Sequence, residues 1–118
     1  MIRGIGIDLV DLKRINKIIE RKPLFIKRTL TPREFSEFSK LERRRQIEYL
    51  GGRFACKEAF SKAWGTGIGK VGLQEIETLT NDAGAPIMTM SPFEGIHHVS
   101  ITHTKDYAMA EVILEERG

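Results

Sequence analysis

The stretch from Glu42 to Trp64 constrains this chain more than any other, because it reads as one long helix stopped by Gly65. Gly51 and Gly52 lower its helix propensity midway without breaking the pattern. Its faces differ in chemistry. Ala55, Ala59 and Ala63, with Cys56 and Phe60, make a small apolar side, and Lys57, Glu58, Ser61 and Lys62 are expected opposite it. That polar face leads into Gly65, Thr66, Gly67, Ile68 and Gly69. Together they offer a carboxylate, a hydroxyl and two ammonium groups beside glycine backbone, the groups a phosphate ligand and a hard cation require.

The segments around the helix alternate between helix and strand signals. Ile2 to Val10 reads as a strand, with Ile5, Ile7 and Leu9 on one face and Gly4, Gly6 and Asp8 on the other. Asp11 is placed to cap a helix whose buried stripe is Leu12, Ile15, Ile18 and Ile19 and whose outward stripe is Arg14, Lys17 and Arg21. Pro23 is expected to end it. Thr31, Pro32 and Glu34 form a second start signal, a capping box with proline at the first helical position. Beyond the glycine-rich segment the chain turns to β structure. Leu73 to Thr80 and Ile87 to Met90 flank a turn at Asn81 to Pro86, and His98 to His103 and Tyr107 to Leu114 alternate as an antiparallel hairpin.

At 118 residues the chain fits a single domain, 1–118, able to bury roughly two-thirds of its extended surface without disulfides. Apolar residues make up 41% and charged residues 30%, as in a folded domain and unlike a disordered tail. The lone cysteine, Cys56, forms no internal disulfide and belongs to no zinc spacing, which suits a reducing compartment. The apolar start, Met1 to Val10, is too short for a signal sequence or a membrane span, so a cytoplasmic protein with no membrane partner is expected. The net charge is +3, and Arg14, Arg28, Lys40 and Arg43 to Arg45 place much of the positive charge in the first half, which favours an acidic partner.

Two tempting motifs fail on inspection. The glycine-rich segment is not a nucleotide-triphosphate loop: three residues rather than four separate Gly65 from Gly69-Lys70, Val71 stands where Ser or Thr is needed, and a helix precedes it instead of a strand. The Arg43–Arg45 cluster lacks interleaved aromatics and any base-reading motif, so nucleic acid is not expected as a partner. Glu58 and Lys62, one helical turn apart, would by themselves be an exposed ion pair worth about 0.3–0.5 kcal/mol. Asp8 is harder to set aside, because a carboxylate between Ile7 and Leu9 is costly to bury without a partner and Asp11 is better placed for the cap. A carboxylate from this strand and one from the long helix suit magnesium, which takes one or two protein carboxylates plus substrate phosphate.

Gly4-Ile5-Gly6-Ile7-Asp8, and Arg53 to Ala63 followed by Gly65-Thr66-Gly67-Ile68-Gly69, resemble the signature segments of the holo-[acyl-carrier-protein] synthases, small bacterial phosphopantetheinyl transferases. Ser100 to Thr104 is similar too, and the likeness runs through essentially the whole chain. The resemblance implies an α+β fold: a small antiparallel sheet packed with one long and several short helices. It further implies a homotrimer with active sites between subunits, transfer of 4′-phosphopantetheine from coenzyme A to an acidic apo acyl carrier protein, and a role in fatty acid biosynthesis. Magnesium would be held by Asp8 and Glu58. Glu58 and Lys62 would be catalytic, and Arg53, Lys57, Ser61, Lys62, Gly65, His103 and Thr104 would contact coenzyme A. The stripe Arg14, Lys17 and Arg21 would receive the carrier protein. For Arg53 a solvated helix charge, and for His103 a hydrogen-bonded structural histidine, are the plainer readings. Cys56, Phe60 and Trp64 are expected to be packing residues.

Overall fold

The computed structural model describes residues 1–65 and 71–118. In chain order the elements are β1 (Ile2–Asp11), α1 (Leu12–Arg21), α2 (Pro23–Thr29), α3 (Pro32–Ser39), α4 (Arg43–Trp64), β2 (Glu77–Thr80), β3 (Pro86–Met90), β4 (Ile96–His103) and β5 (Tyr107–Glu115), with one 3₁₀ turn at Leu73–Glu75. Strands β1, β5 and β4 form an antiparallel sheet in that order, and β2 and β3 pair as a separate antiparallel hairpin. The α+β class is as expected, with the β structure divided between two sheets rather than gathered in one.

Helix α4 runs through the middle, and glycine lets it sit directly on β1. A Cβ at Gly4 would lie 2.0 Å from the Ala63 carbonyl oxygen, and one at Gly6 would lie 1.8 Å from that of Ala59. Only glycine opposite alanine permits this backbone-to-backbone approach. The alternation along β1 is therefore as read from the sequence, but its glycine face is the one that packs on the core helix. Ile5, Ile7 and Leu9 point outward and are 61%, 50% and 60% exposed. On the neighbouring strand Tyr107 and Met109 are exposed as well, and Leu9 pairs with Met109, so this sheet face is an open apolar surface.

The caps explain how the short helices are cut. The Asp11 carboxylate accepts a hydrogen bond from the Lys13 amide at 2.9 Å and starts α1. Pro23 does not merely end α1; after Lys22 it opens α2 at the first helical position, where its missing N–H costs nothing. Thr31 and Glu34 close the expected capping box of α3, and the box is wired into the core: the Thr31 hydroxyl donates to the Glu77 carboxylate at 2.6 Å. Thr31→Ala should therefore cost about 2 kcal/mol in chemical denaturation, the upper end for a cap, because a buried carboxylate also loses a donor. Thr31→Ser should restore most of it, and an Ala variant as stable as the parent would contradict this wiring.

Two further segments differ from expectation. Leu73 to Thr80 is not one strand, since Glu75 accepts from the Gly72 amide and Gln74 donates to the carbonyls of Lys27 and Leu30, which holds a turn before β2 starts. Strand β4 starts at Ile96, two residues before the expected His98, so both His97 and His98 lie within it. His97 stacks on Phe60 and bonds Ser91, and His98 faces out to Glu115. Cys56 is buried, and burial pushes its thiol up, away from the reactive thiolate.

Candidate active site

The close seating of β1 on α4 brings Asp8 beside the helical column of Glu58 and Lys62. The Lys62 ammonium donates to the Asp8 carboxylate at 3.1 Å and to the Ile7 carbonyl at 2.9 Å. Asp8 and Glu58 line one cleft of about 550 Å³, walled by Ile15, Ile18, Phe25 and Phe54 and rimmed by Arg14 and Lys22. Partial burial pushes the Glu58 carboxyl up from its ordinary value, the Asp8 charge pushes it further, and Lys62 pulls it back. The Asp8 charge thus disfavours ionisation of Glu58, and a cation placed beside the two relieves that cost. Among the described residues no group of three or more His, Cys, Asp or Glu side chains is arranged to hold a metal.

Lys57 and Ser61 do not join that face, which corrects the single polar face read from the sequence. Residues 57 and 61 form the column next to 58 and 62, and that column is buried against α3 and the segment leading into β2. Lys57 is 1% exposed, with its ammonium on the Glu34 carboxylate at 2.8 Å and on the carbonyls of Leu73 and Ile76. Burial pulls this ammonium down from the usual lysine range, and the Glu34 charge offsets part of that. The Ser61 hydroxyl donates to the Glu58 carbonyl at 2.7 Å. Helix α4 is thus buried around most of its circumference, and a helix wheel alone does not show that a lysine can be an inner residue when a glutamate on the preceding helix is buried too.

Arg53 and His103 belong to a second recess. From Tyr49 to Glu58 is about two and a half helical turns, so these two residues point to opposite sides of α4. Arg45, Glu48, Tyr49, Arg53, Thr80 and His103 line a pocket of about 210 Å³ that shares no residue with the carboxylate cleft. The Arg53 guanidinium lies 4.2 Å from the Tyr49 ring, donates to the Thr78 carbonyl and the Thr80 hydroxyl, and sits 3.6 Å from Glu37. It is a buried, tethered cation and not a solvated one. His103 is half exposed, with Nδ1 3.6 Å from Glu48. Thr104 caps the β4–β5 turn through its hydroxyl, which accepts from the Asp106 and Tyr107 amides.

Gly65 ends α4 in the left-handed conformation at φ 92°, its amide donating to the Ser61 carbonyl. Thr66, Gly67, Ile68 and Gly69, the rest of the glycine-rich segment, lie outside the described residues. Arg14, Lys17 and Arg21 are exposed along α1, as expected of that stripe. The arginine cluster at the start of α4 is largely occupied within the fold: Arg43 donates to Asn16, Arg44 to Glu48 and the Lys105 carbonyl, and Arg45 approaches Glu48. Sequence reasoning did not name Tyr49, Arg45 or Glu48 as neighbours of the Arg53–His103 recess. The spacing of four between Tyr49 and Arg53 was the available signal.

A strand carboxylate, a helix carboxylate and a lysine bridging back thus stand beside a basic helix, an arrangement suited to an anionic substrate. The model of the 4′-phosphopantetheinyl transferase superfamily matches residues 4–112, and the chain belongs to that superfamily. Its relatives narrow this to the holo-[acyl-carrier-protein] synthases. The synthase of Enterococcus faecalis is 62% identical and that of Streptococcus thermophilus 53%, each alignment covering 98% of both chains. Among solved structures, a Bacillus anthracis holo-(acyl-carrier-protein) synthase in complex with CoA (3′,5′-ADP) superposes with a TM-score of 0.93 at 46% identity, covering 99% of each chain. The Helicobacter pylori synthase in complex with coenzyme A gives 0.82 at 33% identity, covering 94% of this chain and 99% of that one.

Proposed function

We propose that this enzyme moves 4′-phosphopantetheine from coenzyme A onto a serine of an acidic apo acyl carrier protein, with magnesium, as a cytoplasmic homotrimer serving fatty acid biosynthesis. The observation that carries the chemistry is the meeting of Asp8 and Glu58 in one cleft, with the Lys62 ammonium bonded to Asp8. Its donor set fits magnesium: two carboxylate oxygen donors, one with its carboxyl pushed up by burial and then by its neighbour's charge, and room for substrate phosphate and water. Asp8 and Glu58 would hold the ion, and when bound it supplies charge stabilisation to the pyrophosphate of coenzyme A. The Lys62 ammonium, half exposed and already at the cleft, neutralises charge on the transferring phosphoryl group. The carrier serine oxygen forms the new bond to phosphorus as the bond to adenosine 3′,5′-bisphosphate breaks. Glu58 takes the serine proton through a water.

Arg53, His103, Gly65 and Thr104 are assigned to coenzyme A, with Arg53 and His103 on its nucleotide part. Because their recess lies across α4 from the carboxylates, one substrate reaches both most simply when the two halves come from neighbouring subunits. The open apolar face of Ile5, Ile7, Leu9, Tyr107 and Met109 supports assembly of that kind. Lys57 and Ser61 act from behind the site, since both are buried.

Arg14 rims the cleft and Lys17 and Arg21 continue along α1, so an acidic carrier arriving on this helix is delivered to the metal site. Arg14→Glu should raise the Michaelis constant for the carrier about tenfold or more and change that for coenzyme A by less than about twofold, the former shrinking at high salt. Equal effects on both constants in steady-state assays would rule out this docking role. The function itself is tested by mass spectrometry of apo carrier protein incubated with enzyme, coenzyme A and magnesium. A gain of one phosphopantetheine, lost with chelator, is the expected result, and no gain with several carriers overturns the assignment.

A further inference from the structure

Outside the cleft, the most heavily bonded charged group in the protein is the buried pair of Lys57 and Glu34. All three ammonium protons of Lys57 are used, on the Glu34 carboxylate at 2.8 Å, the Leu73 carbonyl at 2.8 Å and the Ile76 carbonyl at 2.5 Å. Glu34 is 0% exposed and is equally committed. One oxygen also accepts from the Thr31 amide at 2.9 Å, and the other accepts from the Thr78 amide at 2.8 Å. Glu77 extends the network through Thr31 and Thr89, with Arg33 at 3.5 Å balancing its charge.

Location gives this network its consequence. Lys57 is the residue before Glu58, so its tether fixes the roll of the same helical turn that carries the cleft carboxylate. Its two carbonyl partners bracket the 3₁₀ turn through which the chain leaves the glycine-rich segment. That segment enters from the capped end of α4 at Gly65. One side chain therefore holds both the 3₁₀ turn before β2 and the helical turn bearing Glu58. A buried ion pair contributes little to stability compared with an apolar pair of similar volume, so a directional role explains its presence better than a stabilising one.

We propose that the Lys57–Glu34 pair is a positioning device for the transfer reaction, locking the helical turn that carries Glu58 to α3 and to the 3₁₀ turn before β2, and so setting the Glu58 carboxylate assigned to the coenzyme A pyrophosphate without touching substrate. This rests on the assignment of Glu58 to the reaction. Carrier docking is served by α1, which takes no part in the network, so the two substrates should respond differently. Lys57→Met alone leaves Glu34 buried and unpaired and is expected to fold poorly. The informative protein is the double variant Glu34→Gln/Lys57→Met, which removes both charges together.

The test is steady-state transfer with coenzyme A and apo carrier protein, alongside thermal melts by circular dichroism. The double variant should recover most of the melting temperature lost in Lys57→Met. It should still show a Michaelis constant for coenzyme A raised about tenfold, with that for the carrier within about twofold of the parent. Parent-like constants at a recovered melting temperature overturn the proposal, as do constants for both substrates that move in parallel with stability. If the double variant does not fold, Glu34→Asp carries the same test, because it keeps the charge pair and withdraws the carboxylate by one methylene. A rise for coenzyme A alone supports positioning. No change in Glu34→Asp, or a parallel change, overturns it. Glu58→Gln assayed beside them separates the two assignments: an inactive Glu58 variant next to unaffected network variants overturns only the positioning role, whereas an active one overturns the reading beneath it.

Discussion

Glu58→Gln should lose transfer activity by about 10³-fold and yet melt higher than the parent at neutral pH in the presence of chelator. The activity loss follows from removing one of two carboxylate donors and, with it, the proposed proton acceptor. The stability gain follows from electrostatics. Burial and the Asp8 charge push the Glu58 carboxyl up, with Lys62 offsetting part of this. A carboxyl whose folded value is raised binds its proton more tightly in the folded state than in the unfolded chain. Stability therefore falls as pH rises through the carboxylate range, and the parent carries that loss at pH 7. Glutamine does not titrate and escapes it. Because Glu58 is only partly buried and its charge is screened by solvent, the gain is small, roughly 2 °C in Tm, and it should vanish near pH 4, where the parent is protonated too. A variant that melts lower than the parent at pH 7 without metal would contradict the carboxylate clash, and undiminished transfer would remove Glu58 from the reaction.

Gly6→Ala should be the most damaging single-methyl change in the protein, costing about 3 kcal/mol or more, equivalent to roughly 10–15 °C in Tm. The added Cβ would lie 1.8 Å from the Ala59 carbonyl oxygen and 2.8 Å from both the Ala59 carbonyl carbon and the Ala63 nitrogen. All three are backbone atoms of α4 and no rotamer change relieves the contact, so the strand must lift. Lifting it also carries Asp8, two residues on, away from Glu58 and Lys62. Residual folded protein should thus be impaired in activity beyond its loss of stability, measured at a temperature well below its melt. A Gly6→Ala chain with parent-like melting would mean that β1 is not seated on α4 as described. Ile7→Ala, one residue along but pointing outward, should change stability far less and, on the proposed homotrimer, show its effect in assembly.

Much of the local structure was legible because it is governed by neighbours in the chain. Asp11 and Thr31 as caps, Gly65 as the stop of α4 and the β4–β5 hairpin all depend on residues within a turn of each other. The start of α2 at Pro23 escaped because proline ends one helix and begins another with equal ease, and only the path of the following chain tells which. The 3₁₀ turn before β2 escaped because it is held by Gln74 bonding to carbonyls more than forty residues earlier.

For the site, the sequence by itself determined the chemistry: two carboxylates, a lysine one helical turn from one of them, a glycine-rich exit and a basic helix, all in fixed order. It also determined which residues share a strand face or a helix column, since those follow from periods of 2 and 3.6. Only the tertiary structure decided which of those faces is inside. The glycine face of β1 packs inward because backbone meets backbone there, leaving Ile5, Ile7 and Leu9 outside. Lys57 is inside because Glu34, brought across from α3, and two backbone carbonyls make a buried ammonium tolerable there, whereas Lys62 meets Asp8 beside the open cleft and stays half exposed. Burial of a charge depends on a partner distant in sequence, and periodicity carries no information about that partner.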